Sequence, residues 1–485
     1  MVRVSEMHFS DARVLVIGDA MLDVYCEGSV ARVSPEAPVP VVLMANERMV
    51  PGGAANVAAN IASLGAAADL IAVLGRDSGA RDLADLMRAQ FPRVGLDHLV
   101  QSDTRSTTTK TRVIGNKYQV VRLDREQSGF LDAATENAVL AKIEARLPFC
   151  SVVILSDYLK GVCSDRVIRG AIALARAAGK RILVDPKRSD FSIYEGADYL
   201  KPNAKELGAA TGMPCGTDGE IAAAARRITA LTGASVIVTR SERGMSFVPP
   251  EGDPIHIPTV ARSVFDVSGA GDTVMAALAL GLQGREPMAH VLAVANAAAA
   301  VVVGKAGTAT VTPEEIDEEM RARRTRRSAA RSKVVAREEA RRAVAQWRAE
   351  GRIIGFANGC FDLLHPGHID LLEQAAEQCD RLVVALNTDA SVRRLKGESR
   401  PVQDEHARAT VMAALGMVDL VVLFDEDTPK ALIEALLPDV LVKGADYTVE
   451  TVVGADIVQA NGGRVYLATL VPDMSTSALV RRMRG

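Results

Sequence analysis

His365 and His368 stand three residues apart around a Pro-Gly in NGCFDLLHPGHIDLL, residues 358–372, just ahead of an apolar helical pattern. Two imidazoles at the start of a helix can donate to phosphate oxygens, and the helix N-terminus adds partial positive charge there. Gly359 and Gly367 allow close backbone approach. The same spacing could instead hold a metal, but no Cys or acidic partner follows at ligand spacing, so the metal reading is set aside. A second stretch, DVSGAGDTVMAALALGL (residues 266–282), has Gly269, Ala270 and Gly271 directly before an Ala-rich helix. Small residues there let backbone N–H groups reach a phosphate. Asp272 follows at the helix start, where a carboxylate can take a hydroxyl proton while the amides hold the transferring phosphoryl group. The plain alternative is an Asp that only caps the helix.

Both stretches need strand ends to position them. RVLVIGD, SVVILSD, RILVDP, YLKPN and SVIVTR form one series of short apolar runs; RIIGFANG, RLVVALN, LVVLF, DVLVKG and RVYLATL form another. Runs apolar on both faces, alternating with helical patterns, predict parallel sheets covered by helices on each side. The expected class is α/β with two domains: 1–318, an Arg-rich helical linker at 319–348, and 349–485. The linker region is acidic, then basic. It could touch RNA or a lipid surface, but only Trp347 offers an aromatic platform, so a solvated helix with Arg paired to Glu and Asp is the plainer reading.

Composition excludes several classes. Hydrophobic residues make up 48% and charged residues 24%, ordinary for a globular protein. A formal charge of −3 gives no global attraction to nucleic acid or membrane. The six cysteines are scattered without a C-x-x-C pair, which suits reduced thiols in a cytoplasmic protein. No apolar run approaches the roughly 18 residues of a membrane span, and the N-terminus lacks a signal-peptide pattern. The expected partners are therefore small molecules.

With GDAMLDVY, PGGAANVAANIASLG (residues 51–65), KPNAKELG (residues 201–208) and DVSGAGDT in order, the first 310 or so residues resemble the ribokinase-like sugar kinases. The resemblance implies a three-layer fold and ATP-dependent phosphorylation of a sugar hydroxyl. It makes Asp272 the base and Gly269, Ala270 and Gly271 the anion hole. Asn203, Ala204, Lys205 and Glu206 become the ATP and Mg²⁺ neighbourhood, and Asp19, Asp23, Gly52, Gly53 and Asn56 the sugar neighbourhood. From their charge alone, Arg122 and Lys187 could bind a phosphate already on the sugar, or simply form surface ion pairs.

GCFDLLHPGH resembles the signature of the cytidylyltransferase-like nucleotidyltransferases, whose fold is Rossmann-like. This implies that Gly359, Phe361, Asp362, His365, Gly367 and His368 surround the triphosphate. Lys396 in RRLKGESRPV and Ser475, Thr476 and Ser477 in DMSTSALVRRMR add phosphate contacts, with Lys443 a weaker candidate. The order of the halves, with SPEAPVPVV and GGAANVA, resembles the bacterial bifunctional heptose kinase/adenylyltransferases. That family makes ADP-heptose for the lipopolysaccharide core: a kinase acts at O1 of D-glycero-β-D-manno-heptose 7-phosphate, and an adenylyltransferase acts on heptose 1-phosphate. ATP as substrate, Mg²⁺ and a homodimer come with the resemblance. Two rivals stay open: another phosphosugar kinase fused to a CTP-using transferase, and a nucleotide- or RNA-binding regulator.

Overall fold

The computed structural model describes residues 4, 9–116, 118–127, 129–259, 266–284, 286–445 and 447–469, with the backbone alone for 324–331. The chain divides into two compact units, Met1–Arg321 and Ala322–Gly485.

The first unit is built on a nine-stranded sheet. Its order is Ile255–Ile257, Met245–Val248, Ser235–Thr239, Tyr199–Leu200, Arg181–Asp185, Val152–Ser156, Arg13–Gly18, Ala67–Ile71, Val94–Gly95. Only the first two strands in that order run antiparallel to their neighbours. Alternation explains the apolar runs. Val14, Val16, Val152 and Ile154 enter one core, while Leu15, Ile17, Val153 and Leu155 enter the core on the opposite face. Two buried faces leave no place for polar alternation. Gly18 pairs with Ser156, and Ser156 with Asp185, so the chain leaves three neighbouring strands at one carboxyl edge. Ligands of open parallel sheets bind at that edge.

The first unit also carries a four-stranded sheet that the sequence reading did not anticipate: Pro40–Gly53, Ala20–Val33, Thr108–Gly115 and Tyr118–Arg125. Its long strands are buried at one end and exposed at the other, which blurs the alternation signal.

The second unit has a six-stranded sheet, in the order Val334–Val335, Leu420–Phe424, Arg381–Asn387, Ile354–Gly359, Val440–Gly444, Arg464–Ala468, with all pairings parallel. Ile354, Phe356, Val383 and Ala385 face one core; Ala357, Leu382, Val384 and Leu386 face the other. The expected linker at 319–348 needs correction. Residues 334–349 are built into the second unit: Val334–Val335 forms the sheet edge, and Arg337–Ala349 buries Ala340 and Val344 in its core. The helix itself is expected from the sequence; its high share of charged residues makes it read as a solvated linker, because only one narrow stripe of it is apolar. Three of its four arginines have partners: Arg337 with Glu426, Arg341 with Glu338, and Arg348 with the carbonyls of Leu436 and Leu437. Among the described residues no helix is long and apolar enough to cross a membrane.

Candidate active sites

In the first unit the helix Ala270–Gly281 begins at Gly269, whose φ of 76° is left-handed. A Cβ there would also lie 2.8 Å from Asn56 Nδ2 and 2.9 Å from Thr308 Cγ2, so only glycine fits. Asp272 lies in the first turn and is buried. Its Oδ2 accepts from Asn56 Nδ2 at 2.8 Å, and its Oδ1 accepts from the Tyr158 phenol at 2.6 Å. Asn56 is held in turn: its Oδ1 accepts from Asn60 Nδ2 at 3.1 Å, and Asn60 Oδ1 accepts from Thr273 Oγ1 at 3.0 Å. Burial pushes the Asp272 carboxyl up to about 6; the Tyr158 and Asn56 donors pull the other way. Its carboxylate also makes no cap bond to its own helix, and a carboxylate poised near neutrality is suited to take a proton.

The neighbouring strand ends supply charge. Lys201, buried, pairs with Asp185 at 3.1 Å, and its Nζ stands 3.9 Å from where a Gly271 Cβ would be. Lys187 pairs with Glu206 and lies 6.0 Å from the centre of the Tyr158 ring. Burial opposes the Lys187 charge, but Glu206, Asp185 and Asp272 hold its pKa above the usual value. Asn203 caps the helix Ala204–Thr211 in a reciprocal box with Glu206, at 2.9 and 2.8 Å; Ala204 is half-buried and Lys205 exposed on that first turn.

The expected sugar neighbourhood is partly redrawn. Asp23 accepts from Arg112 at 2.6 Å and from Thr308 Oγ1 at 3.4 Å, and a Cβ on Gly52 would come within 2.5 Å of its Oδ2. Gly53 caps the helix Ala54–Ser63 that carries Asn56. Asp19 does something else: its carboxylate accepts from the amides of Tyr158, Lys160 and Val162, each at 2.9 Å. It therefore anchors the 157–163 loop instead of facing a sugar hydroxyl. Arg122 is exposed and makes a two-pronged bond to Asp124, at 2.8 and 2.9 Å, so it is a surface ion pair. Arg112 is the arginine that meets Asp23. Sequence reasoning missed Tyr158, Lys201 and Arg112. Lys201 stands inside the quoted KPNAKELG motif, whereas nothing local marks the other two.

In the second unit His365 is the N-cap of the helix Pro366–Glu377. The two imidazoles stack, with centroids 3.7 Å apart and planes at 23°, and the Phe361 ring lies 5.0 Å from His368. Phe361 itself is held at a φ of 43°, a strained conformation of the kind that persists where function demands it. Gly359 lies beneath that ring, where a Cβ would be 3.0 Å from Phe361 Cε2. Burial lowers the pKa of both histidines; His368 falls to about 4, helped by His365 and by the charge of Lys396. Nδ1 of each ring is buried with no hydrogen-bond partner among the described residues. The unpartnered Nδ1 of His365 at a helix start fits a phosphate oxygen, while His368 also has a backbone partner at Leu363.

Asp362, expected at the nucleotide, is spent on the fold. It accepts from the amides of Val402 at 2.7 Å and Gln403 at 3.1 Å and is paired with Arg400. Burial would raise its pKa, but these donors hold it below the usual carboxylate range. Arg400, which the sequence reading did not single out, is buried with Nη2 unpartnered among the described residues. Arg408 is fully buried and ties the Cys360 carbonyl, at 2.7 Å, to Asp389, also at 2.7 Å. Lys396 ends the helix Asp389–Lys396, exposed, and Gly367 lies in the first turn after His365. Lys443 donates to the Asn358 carbonyl at 3.2 Å. Ser475, Thr476 and Ser477 lie outside the described residues.

Comparison with known proteins agrees with this division. Residues 11–315 match the pfkB family of carbohydrate kinases, and residues 356–472 match the cytidylyltransferase-like family. The chain is 53% identical over 473 residues to the bifunctional protein HldE of Azorhizobium caulinodans, covering 98% of each chain. It is 50% identical over 480 residues to that of Caulobacter vibrioides, again covering 98% of each. In fold, the chain is similar to Arabidopsis thaliana ribokinase solved with ribose and ATP, with a TM-score of 0.52 and 21% identity over 64% of this chain and 98% of that one. It is also similar to Escherichia coli phosphofructokinase-2 with potassium, with a TM-score of 0.54 and 21% identity over 66% and 99%.

Proposed function

Because the chain belongs to the bifunctional HldE proteins, with a pfkB-type carbohydrate kinase and a cytidylyltransferase-like domain, we propose that it runs two steps of ADP-heptose synthesis for the lipopolysaccharide core. In the kinase step Asp272 takes the proton of O1–H of D-glycero-β-D-manno-heptose 7-phosphate. The O1–Pγ bond forms as Pγ parts from the bridging oxygen, and ADP leaves with that electron pair. The product is the 1,7-bisphosphate. After hydrolysis of its 7-phosphate elsewhere, the second unit lets a phosphate oxygen of heptose 1-phosphate attack the α-phosphorus of ATP. Pyrophosphate departs and ADP-heptose remains. That step needs no side-chain nucleophile, so His365, His368, Lys396 and Arg400 position and neutralise the triphosphate.

The single observation that carries the reading is the buried, doubly held Asp272 behind Gly269, on the same chain as the stacked histidines at a helix start. Mg²⁺ belongs to the proposal. Among the described residues no group of three or more His, Cys, Asp or Glu is placed to hold a metal, and Asp185 and Glu206 are each paired with a lysine. This donor set fits a hard divalent cation that Asp185 and Glu206 would help to hold together with the nucleotide phosphates. When bound, the cation would neutralise charge on the phosphates.

A homodimer is also proposed. Leu43, Tyr118 and Leu123 on the four-stranded sheet are 73%, 78% and 58% exposed, an apolar area that a second copy would cover. Sedimentation of Leu43→Asp/Leu123→Asp should give a monomer; an unchanged species would remove that face from the interface. Cytoplasmic placement suits an ATP user whose six cysteines are all free.

Mass spectrometry of the products from heptose 7-phosphate and ATP tests the whole reading. The bisphosphate should form alone, and ADP-heptose only when a phosphatase is added. CTP serving as well as ATP in the second step would favour the CTP-using rival. No phosphorylated product at all would overturn the kinase assignment.

A further inference from the structure

The kinase site has a contact that general-base chemistry does not require. Asn56 already fixes one oxygen of Asp272; the other, Oδ1, accepts a 2.6 Å bond from Tyr158. That length belongs to a charge-assisted O–H···O⁻ bond, among the stronger hydrogen bonds in proteins. The loop that brings the phenol there is held at many points. Asp19 receives the amides of Tyr158, Lys160 and Val162, and the Leu159 amide donates to Asp157 Oδ1 at 2.8 Å. Leu159 and Gly161 take φ values of 56° and 106°, and Arg105 Nη2 donates to the Lys160 carbonyl at 2.5 Å. A left-handed leucine is strained and persists only where its surroundings demand it. The aromatic side chain at position 158 is thus delivered to one oxygen by a loop built around a buried carboxylate.

We propose that Tyr158 is a positioning residue for phosphoryl transfer: its phenol stays on Oδ1 through the reaction and leaves one lone pair of that oxygen for the acceptor hydroxyl. A carboxylate oxygen has two lone-pair sites, so a phenol and a sugar hydroxyl can share it. With Oδ2 on Asn56 and Oδ1 on Tyr158, the carboxylate is held against rotation about χ2, and the lone pair left on Oδ1 has one direction. The inference rests on Asp272 being the base. Tyr158 also acts on the proton affinity of Asp272. A donor to the charged form favours that form, and here it opposes burial, the dominant effect. The phenol itself does not ionise near neutrality: burial and the charges of Asp272, Asp185 and Asp23 push it well above the usual tyrosine value. The other charged groups around the pair are Lys201, Lys187 and Glu206. Asp157, next in the chain, is also raised to about 6 by burial, but it contacts Leu159, Tyr194 and Arg188, none of which a change at the phenol oxygen removes.

The test is Tyr158→Phe, which deletes one oxygen, with Asp272→Asn and the double variant beside it, all in the full-length protein. The first readout is kcat for the kinase step, expected to fall about 10-fold in Tyr158→Phe, the scale of one hydrogen bond to a charged group. The second is the acid limb of kcat/KM. Loss of the donor raises the pKa of Asp272, so the limb should move to higher pH, by roughly half a unit to one unit. The third is the cycle: in the Asp272→Asn background, Tyr158→Phe should cost nothing more. Adenylyl transfer, monitored on the same samples, should be unchanged. An acid limb that does not move, whatever happens to kcat, overturns the proposal. So does an additive double variant, which would mean that Tyr158 acts elsewhere. Full kinase activity in Asp272→Asn would instead remove the base, so the two failures are distinguishable.

Discussion

Burial acts on both active sites and moves their titratable groups in opposite directions. Asp272 in the first unit is pushed up to about 6, and His368 in the second falls to about 4. The cause is the same: a low-dielectric setting penalises the charged form, which is the deprotonated acid and the protonated imidazole. The consequences differ. A raised carboxylate is a better proton acceptor near neutral pH, as a kinase base requires. A lowered imidazole is a neutral donor, so the positive charge for a triphosphate has to come from the helix start, Lys396 and Arg400. On the proposed roles, one site moves a proton and the other holds charge.

The largest effect that would break this contrast is expected from Asp272→Asn. It keeps the shape and removes the proton acceptor, so kinase turnover should fall about 10²–10⁴-fold, while adenylyl transfer from heptose 1-phosphate stays at the wild-type rate. Kinase turnover within a few-fold of wild type would end the assignment. His368→Ala is the mirror experiment. Loss of one donor aimed at developing charge should lower adenylyl-transfer turnover about 10²–10³-fold with the kinase intact. Normal adenylyl transfer in that variant, or a wild-type protein that needs zinc instead of Mg²⁺, would refute the phosphate role of the histidines.

The pH profiles sharpen the contrast with no mutation. The kinase base must be deprotonated, so kcat/KM should drop about tenfold per pH unit once pH falls below the Asp272 value of about 6. His368 is neutral above about 4, so adenylyl transfer should show no loss from this histidine between pH 5 and 8. A shared acid limb near 6 in both reactions would argue against separate controls. The smallest effect concerns the boundary. Fragments ending at Arg321 and starting at Ala322 should keep kinase and adenylyltransferase activity respectively. A fragment starting at Ala336 loses the edge strand Val334–Val335 and should melt a few degrees lower than the one from Ala322. Equal melting temperatures would mean that the edge strand contributes nothing.

All ten apolar runs read from the sequence are strands of the two main sheets, and the Gly269 and His365 motifs stand at helix starts. These features are local: strand burial on two faces follows from runs of Val, Ile and Leu, and helix starts follow from small or capping residues within a few positions. The chain by itself therefore determined the fold class, the order of the two chemistries and which residues could take a proton or meet a phosphate. The tertiary structure alone decided what each of those residues does. Tyr158 reaches Asp272 across 114 positions and Asn56 across 216. Asp19 and Asp362 read as ligand residues in the sequence, yet each is spent on backbone amides, of residues 158–162 for the first and 402–403 for the second. Which carboxylate is free and which is committed depends on the strand ends that lie side by side, as Gly18, Ser156 and Asp185 do, and a linear pattern carries no record of that adjacency.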